Sequence, residues 1–201
     1  MPNWCTTDIV ITNSDPELIR GLKSEFDNAF HWAEIENGFG EMWLGNILGY
    51  LGYTEKEIVY GDMKCRGEVT DIELRNDTVL YIGTFTAWVP MFTPFVKMIE
   101  KYAPGSEITY YAEELGCEIL CTNDLDMVGK IKVIADSDVP SELSWIYEAD
   151  EYDMDKTMFL EKIRNSMKWE IPLEKVEEKI ETDLAGLFSY YEWEFADVTE
   201  W

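Results

Sequence analysis

The chain is poor in the groups that most enzyme chemistry needs. It holds one histidine, His31, in 201 residues. A lone imidazole leaves no second histidine for a nucleophilic triad or for the usual zinc hydrolase set. In Phe30-His31-Trp32, at the end of a helical stretch, its simplest use is a positive charge at the helix C-terminus. Bases are also scarce: 16 Lys and Arg stand against 41 Asp and Glu, a formal net charge of −25. Phosphate backbones and anionic membrane surfaces repel such a chain, which argues against direct nucleic-acid or membrane binding. No apolar run approaches the roughly 18–20 residues that a bilayer demands. Four cysteines, Cys5, Cys65, Cys117 and Cys121, are too few and too scattered for a disulfide scaffold. Cys117 and Cys121 fall in a strand-like stretch, ~13 Å apart along one face, too far for a disulfide or a shared zinc. Buried, reduced thiols are expected. There is no Walker loop or dinucleotide fingerprint. The stretch Asp124-Leu125-Asp126-Met127-Val128-Gly129 opens like an EF-hand loop but places Val128 and Ala135 where oxygen ligands belong. The expectation is a non-enzymatic protein with no cofactor and no metal. Met1-Pro2-Asn3-Trp4-Cys5 lacks the basic region and apolar stretch of a secretory signal, which predicts a cytoplasmic protein.

Hydrophobic residues are plentiful at 46%, enough for a packed core. Aromatics reach 14%, more than such a core needs, so some are expected on surfaces or interfaces. Residues 4–12 alternate as a strand. Ser14-Asp15-Pro16-Glu17 then starts a helix over about 15–30, with Leu18, Leu22, Phe26 and Phe30 at helical spacing. Residues 31–66, rich in Gly and aromatics, read as an irregular insertion with a short helix near 41–50. Strands follow at about 68–74 and 78–88, joined by a tight turn at Arg75-Asn76-Asp77. Thr93 and Pro94 open a helix that Pro104 stops, and residues 106–113 alternate as a strand. Two more strands are expected at 117–122 and 128–135. An acidic loop then runs to 155, and two amphipathic helices follow, the second carrying Val176, Ile180, Leu184 and Leu187.

Through residue 113 the order is strand, helix, strand, strand, helix, strand. That order predicts an α+β fold: a ferredoxin-like split βαβ antiparallel sheet with two helices on one face. The domain is expected over 1–125 with the insertion at 31–66. Residues 126–201 add a strand, the acidic loop and helices, expected to pack on the same core and to cover the open face of the sheet.

The opening MPNWC, with Asn3, Trp4 and Cys5, resembles the start of the YubB-type ferredoxin-like family, found largely on plasmids, phages and related mobile elements. Residues 84–90, TFTAWVP, are similar to that family's strand ending in Thr-Ala-Trp before a Pro-led helix, with Ala87, Trp88 and Pro90 at the matching positions. Residues 95–121, ending YYAEELGCEILC, resemble its helix, strand and Gly-bearing return. Thr7 stands where the family usually has Asn, and residues 65–70 depart from its Trp-rich stretch. The resemblance implies a fold and a mobile-element setting, and no activity. On the residues themselves, Trp4 and Trp88 belong to neighbouring strands and meet at one sheet edge. Their simpler reading is structural, packing the core with Cys5. The alternative is an aromatic platform that binds a small ligand or peptide.

The acids are uneven. Residues 1–100 carry 16 acids and 7 bases, and residues 101–201 carry 25 and 9. Residues 136–155 hold 8 acids and no base. Acids interleaved with aromatics suit contact with a basic protein. The expected contact surface comprises Asp136, Asp138, Glu142, Tyr147, Glu148, Asp150, Glu151, Tyr152, Asp153, Asp155, Glu192 and Glu194. Its partner would be a basic protein, with a nucleic-acid-binding one among the candidates. Imitation of a duplex, with one charge per ~1.7 Å of axis, would require these acids to gather on one face.

Overall fold

The computed structural model describes residues 3–31, 39–61, 63, 65–148 and 154–201. It is mixed α+β and divides into two compact units, residues 1–124 with 196–201, and residues 125–195.

In the first unit, β1 (Trp4–Thr12) is followed by α1 (Pro16–His31), the short helices α2 (Leu44–Tyr50) and α3 (Glu55–Val59), and β2 (Gly67–Asn76). Then come β3 (Val79–Ala87), α4 (Thr93–Tyr102), β4 (Glu107–Glu114) and β5 (Ile119–Thr122). The strands lie in the order β2-β3-β1-β4-β5, with each neighbouring pair antiparallel. Strict alternation along β1 buries Cys5, Thr7, Ile9 and Ile11 on one face. Leu80 and Ile82 of β3 and Tyr110 and Ala112 of β4 join the same cluster, together with the apolar stripes of α1 and α4. Phe26 of α1 meets Phe95 of α4 with ring centroids 6.0 Å apart. The start of α1 is capped by Asp15 rather than Ser14: its carboxylate accepts from the Glu17 N–H at 2.9 Å. The cap of α4 also moves. Its N-cap is Phe92, and Thr93 is already helical.

The other face of this sheet is polar around exposed rings. Trp4 and Phe85 are 52% and 41% exposed. Tyr81 donates its hydroxyl to Asp8 and lies under the Arg75 guanidinium. Near the end of the chain, Tyr110 donates to the Ala196 carbonyl at 2.8 Å and accepts from the Trp201 indole N–H at 3.0 Å. The last six residues thus belong to the first unit.

The second unit carries β6 (Ile131–Ala135), α5 (Lys156–Ser166), α6 (Val176–Asp183) and β7 (Phe188–Glu192), with β6 and β7 antiparallel. A core shared with the first sheet was expected of this segment. Instead Val176, Ile180 and Leu184 pack with Phe159, Ile163, Ile131 and Phe188 in a cluster of their own. The apolar stripes are therefore spent within the unit. β7 was not expected from the pattern, which carried Leu187 on the last helix; Gly186, at φ 74°, turns the chain out of that helix first. The strand expected at 117–122 begins later, at Ile119. Cys117 lies in a 3₁₀ turn and is exposed, so it is not the buried thiol expected.

Candidate functional site: an aromatic cleft at the end of the sheet

Where β1 starts, β3 ends and β2 starts, the first unit has an open cleft of about 790 Å³. Trp4 and Trp88 line it, together with three rings from the segment before β2: Phe39, Trp43 and Tyr60. Arg66 and Glu68 are the charged groups among its described lining residues.

Each ring is held by identifiable backbone. Trp4 pairs with Ala87 across the β1–β3 ladder. Trp88 follows directly, and its N–H donates to the Asn3 carbonyl at 2.9 Å. This fixes Trp88 at φ 70°, a left-handed backbone conformation that costs an L-residue with a large side chain about 1–2 kcal/mol. The Arg66 guanidinium stands 5.4 Å from the Trp88 ring centroid, a cation–π contact. Gly67 lies so close to β3 that a Cβ there would be 2.3 Å from the Phe85 carbonyl oxygen.

The loop that carries Phe39 and Trp43 is pinned by Asn46, which is fully buried on α2. Its amide donates to the Gly40 and Glu41 carbonyls at 3.0 and 2.7 Å. The Val69 N–H donates to the Met42 carbonyl at 2.9 Å, tying the same loop to β2. Trp43 is buried beneath Phe39, with ring centroids 4.8 Å apart. The segment without a readable sequence period is therefore what completes the cleft.

Cys65 lines the cleft, but burial pushes its thiol up to about 12, so it stays protonated and unreactive at ordinary pH. Burial likewise raises Cys5 to about 11. His31 is exposed at the end of α1, with Nδ1 2.7 Å from the Asp27 carbonyl oxygen. No group of three His, Cys, Asp or Glu side chains among the described residues is placed to hold a metal ion. No helix among them is long and apolar enough to cross a membrane.

Among the motif residues, Cys5, Ala87 and Pro90 are buried. Trp4 and Trp88 are not core residues, with 52% and 43% of their surfaces exposed. Asn3 is exposed, and its side-chain amide lies 3.7 Å from the Cys117 sulfur. Sequence reasoning named Trp4 and Trp88 and missed Phe39, Trp43, Tyr60, Arg66 and Glu68. The concentration of Gly and aromatics in 31–66 was the available signal.

The expected acidic surface is only partly in view, since Asp150, Glu151, Tyr152 and Asp153 lie outside the described residues. Asp136 follows β6 at the Phe188 end of the β6–β7 ladder and accepts from the Ser189 hydroxyl at 2.6 Å. Asp138, Glu142 and Tyr147 follow it in the chain; all three are exposed, and the Tyr147 hydroxyl accepts from the Val139 N–H. Glu148 ends the 3₁₀ segment that begins at Ser141. Glu192 pairs with Ile131 at the other end of that ladder, ~17 Å from Asp136 by strand rise. Asp155, which caps α5 by accepting from the Met158 N–H, bridges Lys130 beside that second end. Glu194 is exposed just beyond Trp193. Asp136 and Glu192 thus stand at opposite ends of one ladder. Nor is acidity confined to one unit: residues 125–195 hold 18 acids and 8 bases, and the first unit holds 23 and 8.

Comparison with family models, with curated proteins and with solved structures returns no match for this chain.

Proposed function

We propose that this chain is a non-enzymatic binding protein whose site is the aromatic cleft between Trp4, Trp88 and the loop carrying Phe39 and Trp43. One observation carries the reading. Trp88, a large aromatic residue, is held in a left-handed conformation with 43% of its surface exposed in a cleft lined by four further rings. Backbone strain and exposed aromatic surface both cost stability, and sites that bind are where proteins retain them. The first unit's strand order, β2-β3-β1-β4, supports reading it as a ferredoxin-like split βαβ domain. That order and the MPNWC opening together support kinship with the YubB-type family of mobile elements, working in the cytoplasm. The test is a titration of the Trp4 and Trp88 indole N–H resonances with a panel of small metabolites and capped peptides. Both resonances are expected to move together with at least one compound; if they stay fixed across the panel, the cleft is not a binding site.

A second reading keeps the acidic surface as a contact for a basic protein. It is favoured by Tyr147, which is 58% exposed and whose hydroxyl is held between the Ser137 carbonyl and the Val139 N–H, the two chain neighbours of Asp138.

A further inference from the structure

We infer that the occupant of the cleft is an extended peptide segment of a partner protein, with an apolar or proline side chain among the rings and a lysine or arginine beside β2. This inference rests on the cleft being the binding site, and it names the class of ligand.

Enclosure argues against a compact small molecule. Small-molecule sites bury roughly 70–90% of their ligand. Here Trp4, Phe39, Tyr60 and Trp88 are 52%, 58%, 78% and 43% exposed, so the rings line an open trough. A chain laid along a trough covers such rings in succession, the way aromatic-lined grooves take extended peptides.

Charge sets the sign of the occupant. Arg66 is the one cation among the described lining residues, and its guanidinium is already engaged over Trp88. An anionic ligand would meet Glu68 in the cleft and the field of a molecule with net charge −25. From the cleft, β2 runs on with Glu68, Asp71 and Glu73 exposed. Their ladder partners are Phe85, Gly83 and Tyr81, so the acids form a row on the face away from α1 and α4. β2 is the terminal strand, and beyond the bond between Val69 and Met42 its outer edge has no strand partner among the described residues. A cationic side chain flanking the seated apolar residue meets that row, and electrostatic complementarity of this kind fixes the direction of a bound segment.

The experiment pans a phage-displayed library of random twelve-residue peptides on the full chain, with the Trp88→Gly protein as counter-target. Glycine suits φ 70°, so this variant deletes the ring without straining the backbone. Its fold is checked by amide spectra, with Trp4→Ala as a second ring deletion. Recovered peptides are expected to pair Lys or Arg with an apolar or proline residue. Synthetic copies are expected to bind the full chain at least tenfold tighter than either ring variant. Glu for Arg in the peptide, or E68Q with D71N in the protein, is expected to weaken binding severalfold. Peptides without a basic bias, or no peptide that prefers the full chain, overturn the assignment. Where the Trp4 and Trp88 indoles still respond to small metabolites, the cleft remains a site for another ligand. Where they respond to nothing, the site itself falls.

Discussion

Trp88 concentrates the argument at the scale of single residues. Its position after β3 was readable as the end of a strand, but its backbone conformation was not, because a left-handed φ at a tryptophan leaves no mark on the neighbouring residues. The conformation makes a stability prediction. Trp88→Ala removes the ring and keeps the strained φ, whereas Trp88→Gly removes both. The glycine variant is therefore expected to be more stable than the alanine variant by about 1 kcal/mol, a difference of roughly 2–4 °C in thermal midpoint for a chain of this size. Thermal denaturation of the two proteins side by side decides it, and an alanine variant that melts higher would remove the strain from the argument. Cys5 and Cys65 illustrate the opposite case. Composition suggested reduced, buried thiols, and burial alone accounts for the neutral Cys65.

Elements with a strong period were legible from the sequence. β1, α1, the β2–β3 hairpin, α4 and β4 each repeat apolar residues at the spacing their geometry requires, and their observed limits lie within about two residues of the expected ones. In the segment before β2 only the short helix expected near 41–50 was legible, and it is α2 (Leu44–Tyr50); the rest was not, since its Gly and aromatic residues satisfy no period. Its order comes from the packing of Trp43 against α2 and from the Asn46 amide. Gly45 shows how tight that packing is: a Cβ there would lie 2.3–2.5 Å from the Trp43 ring. In an isolated helix Gly→Ala gains about 1 kcal/mol. Here Gly45→Ala is expected to reverse that sign and destabilise by about 1–3 kcal/mol through overpacking. Chemical denaturation reads the loss, and a displaced Trp43 indole resonance locates it. A stabilised variant would mean that Trp43 is not seated on α2. β7 was missed for a related reason: Tyr190 and Tyr191 stand among acids, which read as surface until Ile131–Ala135 supplied a partner strand.

For the whole molecule, two separate apolar clusters imply two sources of stability. Phe26 is fully buried in one and Phe159 in the other. Phe159→Ala is expected to cut amide-exchange protection at Val133 and Tyr190 while leaving Ile9 and Tyr110 close to unchanged, and Phe26→Ala to do the reverse; each truncation removes about 3–5 kcal/mol from its own cluster. Equal loss at all four amides in either variant would show a single cooperative unit instead. The sequence by itself determined the α+β class, the first unit's order of elements and the acidity that disfavours phosphate ligands. Periodicity and formal charge are local properties, and they survive whatever path the chain takes. Tertiary structure alone decided that the C-terminal helices spend their apolar stripes on β6 and β7, that Asp136 and Glu192 stand at opposite ends of one ladder, and that Trp4 and Trp88 face a cleft. Those outcomes depend on strand register and on which distant segments share a core, and no spacing within one segment encodes either.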